Sequence, residues 1–243
     1  ASILIWWFPI PKGYLKKIFI ASLIANTLQY SITYTGLNLI DASAAVLLVQ
    51  TEVPFGVIFA YFMLKEKPTI RALVGISVAF IGVYILTGSP NLDGKFIGIA
   101  LTILGSAIWA LGQVIVKPLS KEINPLALVA WLAIFSGPIL IGISALIDGN
   151  TINYLTEASL NHWMIAFYIG FIMQPITYGC FYYVLKNNPL YKVLPVVTMG
   201  IPPTGLLAAI FLLGEKPTSE LFIGGGIIII GVIMIVFTKK RKG

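Results

Sequence analysis

Nine acidic residues occur in 243, and one of them, Glu52, lies near the middle of the long apolar run 42–64. An ionisable group at the centre of a membrane-spanning helix costs about 2.5–3.5 kcal/mol on insertion scales, so it normally faces a cavity or a partner. Two readings follow. Glu52 titrates during solute movement or pairs with a substrate amine, or it is a protonated carboxyl hydrogen-bonded to a neighbouring helix. No Lys or Arg lies at its depth. Gln50 and Glu52 are about 200° apart on an ideal helix, so both line one cavity only if Pro54 distorts the turn.

Other polar residues recur at helical spacing in apolar surroundings. Asn26, Gln29, Tyr30 and Thr33 share one face, as do Ser106, Trp109 and Gln113. Gln174, Thr177, Tyr178 and residues 180–182 surround Pro175, and Thr198 stands beside Gly200. Together these groups describe a wet, solute-sized cavity; singly, each is equally suited to bridging two helices. Enzyme chemistry has less to work with. One histidine (His162) and one cysteine (Cys180) provide no metal-ligand set and no internal disulfide. Glu52 has no acidic neighbour for paired-carboxylate work. Residues 88–96 mimic a phosphate loop, but the glycine spacing is one too long and Phe96 stands where Ser or Thr is required. No cofactor or metal is expected.

The elements that position these residues are hydrophobic helices. The chain is 58% hydrophobic and 10% charged, with a mean hydropathy of +0.94, too little charge to cover a soluble domain. Eight apolar runs, 18–40, 42–64, 70–87, 96–116, 126–147, 163–185, 193–213 and 221–238, are each long enough to span about 30 Å of hydrocarbon. The fold class expected is an all-α polytopic bundle. The formal charge of +7 does not indicate nucleic acid, since no basic face with interleaved aromatics exists. Instead, 14 of the 16 Lys and Arg residues fall on alternate loops, and only Lys95 and Lys216 oppose them. Those loops and the C-terminus are therefore expected in the cytoplasm.

An internal repeat organises the runs. Residues 64–69 (Leu-Lys-Glu-Lys-Pro-Thr) return as 213–218 (Leu-Gly-Glu-Lys-Pro-Thr), an offset of 149. At the same offset Pro54 matches Pro203, Gly75 matches Gly224, and Gly82 matches Gly231. The charge pattern puts the two Glu-Lys-Pro-Thr loops on opposite faces, so the halves, 1–95 and 96–243, are expected to be inverted. Five runs fall in the second half and three plus the short stub 1–8 in the first. By that arithmetic one and a half helices, about 50 residues, precede Ala1 in a complete ten-span protein; a nine-span protein beginning at Ala1 is the other possibility. The Glu-Lys-Pro-Thr turns read as scaffold, with Pro at the first helical position and a carboxylate near a helix start. The glycines at seven-residue spacing read as close helix contacts. Pro54, Pro175, Pro195, Pro202 and Pro203, with Gly200, and also Pro138, are expected to interrupt their spans. Freed backbone at mid-membrane is tolerated only beside protein or a water-filled cavity, so these breaks mark the site.

The doubled Glu-Lys-Pro-Thr loop, each copy preceded by a proline-containing span and followed by Gly-x6-Gly-Val, resembles the EamA-type members of the drug/metabolite transporter superfamily. The resemblance covers the whole chain, which lacks the family's first helix and much of the second. It implies ten helices in two five-helix halves, a central cavity and export of amino acids or related metabolites across the inner membrane. Residues 41–66 and 100–119 look most like exporters of cysteine-pathway amino acids. The partners implied are a small-molecule solute and the lipid bilayer; coupling to a proton is one of the two readings of Glu52 given by its position, and no oligomeric state is read. A sugar-phosphate or nucleotide-sugar exchanger of the same superfamily is the alternative, but its anionic cargo calls for Lys or Arg in the cavity. A membrane-embedded enzyme is the alternative from another class.

Overall fold

A computed structural model describes residues 13–89, 92–149, 151–198 and 200–236. The stub 1–8, the basic tail 239–242 and Thr238 lie outside the described residues. What is described is helix and turn, with no strand among these residues. In chain order the α-helices are α1 (Leu15–Ser22), α2 (Gln29–Leu37), α3 (Ala42–Leu48), α4 (Glu52–Leu64), α5 (Ile70–Thr87), α6 (Phe96–Glu122), α7 (Pro125–Asp148), α8 (Thr151–Glu157), α9 (Leu160–Phe167), α10 (Gln174–Asn187), α11 (Leu190–Thr198), α12 (Ile201–Leu213) and α13 (Ser219–Val236).

Six helical runs among the described residues are long and apolar enough to cross a membrane: Ala42–Leu64, Ile70–Thr87, Phe96–Glu122, Pro125–Ile147, Leu160–Asn187 and Leu190–Leu213. Two of the eight expected spans fall outside this set. The stretch 15–37 carries Asn26, Gln29, Thr33 and Tyr34, which dilute its apolar character, and the last apolar helix, Ser219–Ile235, is shorter. Other boundaries also move. Helix α6 runs past Val116 to Glu122 with Pro118 inside it, so Lys117 and Lys121 are helical and Lys117 is buried. The segment between α7 and α9, expected as loop, contains α8.

Proline acts at fewer places than expected. Helix α7 continues through Pro138, and α11 contains Pro195 without ending there. Only the missing N–H and local crowding are felt at such a position, and neighbouring turns hold the helix together. Pro175, by contrast, is the second residue of α10, directly after the π-helical stretch Tyr168–Met173. A second π stretch, Leu23–Leu28, separates α1 from α2 with no proline to announce it.

The chain divides into two compact units. One contains Ile115–Asn187 and the segment ending at Thr27; the other contains Leu28–Val114 and the segment from Asn188 onward. In the first, α1 packs on α7, where the Ser22 hydroxyl donates to Leu132 O at 2.9 Å, and Gly179 of α10 leaves room for Leu126. In the second, α5 and α13 pack backbone to backbone. A Cβ on Gly75 would come within 2.6 Å of Gly231 O, and one on Gly82 within 2.7 Å of Gly224 O. The pairing of 75 with 231 and 82 with 224 makes the two helices antiparallel. Around them Leu48, Val53, Val57, Leu86, Leu221 and Ile228 form the apolar core.

Candidate functional site

The run 42–64 is continuous helix that tightens in the middle. Helix α3 ends at Leu48, a single 3₁₀ turn covers Val49–Thr51, and α4 starts at Glu52. Pro54 is the third residue of α4, and its missing N–H leaves Gln50 O, in the 3₁₀ turn, without that donor. In the run 190–213, α11 is described as far as Thr198 and α12 from Ile201, with Pro203 its third residue, after Pro202. Gly200 stands before that start, and Met199 is outside the described residues. A tighter 3₁₀ turn rotates successive residues by about 120° rather than 100°. That shift brings Gln50 and Glu52 closer to a shared side, and both are buried, at 1% and 5% exposure.

Close contacts fix the register around the 3₁₀ turn. A Cβ on Gly56 would strike Leu194 Cδ1 and touch Ala110. Glu52 is one turn before Gly56, and Thr198 one turn after Leu194, on helices that run antiparallel. The Glu52 carboxyl and the Thr198 hydroxyl thus lie in adjoining layers of one unit, Thr198 Oγ1 donating to Leu194 O at 3.0 Å. Helices α2 and α6 are also antiparallel: Gly36 meets Thr102, and Gly105 meets Thr33. One turn from the second contact stand Gln29 and Trp109, and Gln29 Nε2 donates to Thr33 Oγ1 at 3.0 Å. Gln113 follows on the same face of α6.

Burial leaves several of these polar atoms unsatisfied. Gln29 Oε1, Gln50 Nε2 and Gln113 Oε1 are buried without a hydrogen-bond partner among the described residues. No described basic side chain pairs with Glu52. An orphaned amide in an apolar interior costs about 1–3 kcal/mol, so such groups wait for water or a solute.

The expected site residues divide between the units. Gln29, Tyr30, Thr33, Gln50, Glu52, Trp109, Gln113 and Thr198 belong to one, with Pro54, Gly200, Pro202 and Pro203. Asn26, Gln174, Pro175 and Tyr178 belong to the other. There Asn26 lies in the π stretch and donates to Ser136 Oγ at 3.3 Å, while the Tyr178 ring lies 5.8 Å from that of Tyr182. Sequence spacing did not single out Ser136 or Ser22, because a hydroxyl that bonds a distant carbonyl leaves no periodic trace.

The Glu-Lys-Pro-Thr turns differ most from expectation. Pro68 is not at a first helical position; it precedes Thr69, which caps α5 by accepting from Ala72 N at 3.2 Å. Nor do the glutamates serve the helices that follow them. Glu66 Oε1 and Oε2 accept from Leu190 N and Tyr191 N at 3.1 and 3.3 Å, at the start of α11. Glu215 Oε1 and Oε2 accept from Ala42 N and Ser43 N at 2.8 and 2.9 Å, at the start of α3. Burial pushes the Glu215 carboxyl up, but hydrogen bonds from Ser43 and Ala42 and the charge of Lys95 outweigh it, and its pKa falls below the ordinary value.

Six helical runs long and apolar enough to cross a bilayer, with buried polar groups among them, describe a multi-pass membrane protein. The chain belongs to the EamA-like transporter family, which matches residues 1–88 and again 96–237. An uncharacterized transporter of Clostridium kluyveri is 30% identical over 237 residues, covering 94% of this chain and 73% of that protein. A probable amino-acid metabolite efflux pump of Escherichia coli is 26% identical, covering 96% of this chain and 80% of the pump. The pump of the same description from Salmonella typhimurium is 28% identical over 208 residues.

Proposed function

We propose that this chain is a secondary transporter that exports small metabolites, amino acids or related compounds, by alternating access between two inverted repeats, 1–95 and 96–243. The observation that carries the reading is the 3₁₀ turn at Val49–Thr51, placed beside buried Gln50 and Glu52 in a span that packs through Gly56 on α11, where Thr198 is also buried. Helix ends and unwound backbone at membrane depth supply the dipoles and carbonyls that hold a zwitterionic solute. The antiparallel packing of α5 on α13 and the two family matches support the inverted arrangement. The names of the E. coli and Salmonella relatives support amino-acid metabolites as the cargo class.

In this reading Gln29, Tyr30, Thr33, Gln50, Trp109, Gln113 and Thr198, all of one unit, contact solute. Glu52 takes the substrate amine or a coupling proton. The protein sits in the inner membrane with its C-terminus in the cytoplasm. Counterflow in proteoliposomes, across a panel of amino acids and their metabolites, tests the reading. Exchange of at least one amino-acid-class solute is expected; flux of sugar phosphates only, or chemical conversion of a solute, would overturn it. Glu52→Gln is expected to abolish the pH dependence of that flux or to cut the affinity for amine-bearing solutes by at least tenfold. A variant with wild-type pH profile and affinity removes Glu52 from the mechanism.

A further inference from the structure

The two Glu-Lys-Pro-Thr carboxylates do one job twice. Each sits just after a residue in the left-handed region, Lys65 at φ 54° and Gly214 at φ 68°, which turns the chain so that the next amide reaches back to Ala60 O or Ala209 O, both at 3.1 Å. The turn throws the glutamate beyond the end of its own helix. What it meets there is the first turn of a helix from the other half: Glu66 on α11, Glu215 on α3. Both carboxylates grip two successive amides. Tyr191 and Ala42, gripped by the two in turn, are themselves equivalent at the 149-residue offset. The second contact set follows the same rule: Gly56 of α4 receives Leu194 of α11, and Gly205 of α12 receives Val46 of α3.

We infer that Glu66 and Glu215 are positioning residues that tether the starts of α11 and α3 to the opposite repeat's loop throughout transport, leaving the 3₁₀ turn at Val49–Thr51 as a point that flexes. The antiparallel packing of α5 and α13 puts the two tethers at opposite ends of one compact unit. A gate at one face of a transporter opens while the gate at the other is shut, so two gates are not closed in every state. Two tethers formed together, at both ends of one conformation, are contacts that opening either face need not break. Charge-assisted bonds to a helix start are also the stronger kind, because the amides are orphaned and the dipole favours the carboxylate. The first turns of α3 and α11 are thereby fixed, and the run that begins with α3 bends at its 3₁₀ turn. Further bonds brace the Glu215 end: Lys95 Nζ to Asp41 Oδ1 at 3.0 Å, and the Ser89 and Thr218 hydroxyls at 2.7 Å.

The persistence of the tethers through transport rests on the proposed function, whereas their reach across repeats does not, and the test separates the two. Hydrogen–deuterium exchange of the protein in nanodiscs reads the reach. Glu66→Ala is expected to speed exchange about five- to tenfold in residues 190–195, and Glu215→Ala in 42–47, with the following helices 70–75 and 219–224 unchanged. Acceleration in 70–75 and 219–224 instead, or in neither place, overturns the inference. Should either variant fail to fold, a cysteine pair replaces it: Glu66→Cys with Leu190→Cys in a Cys180→Ser background. A short thiol cross-linker is expected to join the pair and to leave at least half of the counterflow rate. No cross-link, or flux abolished by it and restored on reduction, overturns the tether. If the uncross-linked protein moves no solute at all, the transport reading falls while the exchange result still decides the reach.

Discussion

Glu52 and Glu215 are both carboxylates at the start of a helix, yet one is buried with no described basic partner and the other is held by amides. For Glu215 the consequence is a sign in the pH dependence of stability. Its folded pKa lies below the ordinary value, so the folded state binds the proton less readily than the unfolded chain. The stabilisation is therefore complete above the unfolded value of about 4.3 and is lost as pH falls through the depressed folded value. Thermal unfolding in detergent should show a fall in Tm across this acidic window for the wild type. Glu215→Gln should flatten it and lower stability at neutral pH by about 0.5–2 kcal/mol, the usual worth of a helix-start acceptor. Little of this was legible in the sequence. The four-residue motif announced a turn with a carboxylate, and the dipole argument was right in kind, but the helix it serves is more than 120 residues away. Local spacing cannot choose between a helix start three residues on and one brought alongside by the fold.

At the scale of elements, the seven-residue glycine spacing was read correctly and for the right cause. A stripe of glycines has no use in a helix exposed to lipid, whereas two such stripes let backbones touch. Space around each glycine makes the prediction specific. Gly75→Ala would push a methyl to 2.6 Å from Gly231 O and should destabilise by about 1–3 kcal/mol through overpacking. Gly226→Ala lies in α13 as well, yet nothing stands within 4 Å of the added carbon. That change should be neutral, or stabilising by up to about 1 kcal/mol, since Ala is the better helix former. Melting temperatures of the two variants in one detergent decide the matter; equal losses would mean that the α5–α13 contact is not the one described. Where the element reading went astray, the reason is also physical. Proline was taken as a break wherever it occurred, but its missing N–H matters only where neighbouring turns do not compensate. Pro138 lies inside continuous α7, whereas Pro54 stands just after a 3₁₀ turn. The π stretch at Leu23–Leu28 has no residue signature, and Asn26 within it stood out only by its helical spacing from Gln29, Tyr30 and Thr33.

For the molecule as a whole, the question is whether the two repeats are inverted in the bilayer. The basic residues argue for it, since in the sequence 14 of 16 cluster at one set of alternate ends of the expected spans. Within one unit, α5 and α13 run antiparallel although the turns that precede them have almost the same sequence. A membrane imposes direction on that relation, because helices that pack antiparallel side by side must start on opposite faces. Lys67 and Lys216, equivalent in the repeat and both exposed, report on it directly. In a Cys180→Ser background, Lys67→Cys in intact cells should resist a membrane-impermeant maleimide until the membrane is opened. Lys216→Cys should label without that step. The same labelling of both from one side would make the repeats parallel, and the runs that begin with α3 and α11 would then enter the membrane from the same face. Opposite labelling leaves each of these runs starting at the face where the other ends, which is the arrangement that Glu66 and Glu215 require in order to reach across.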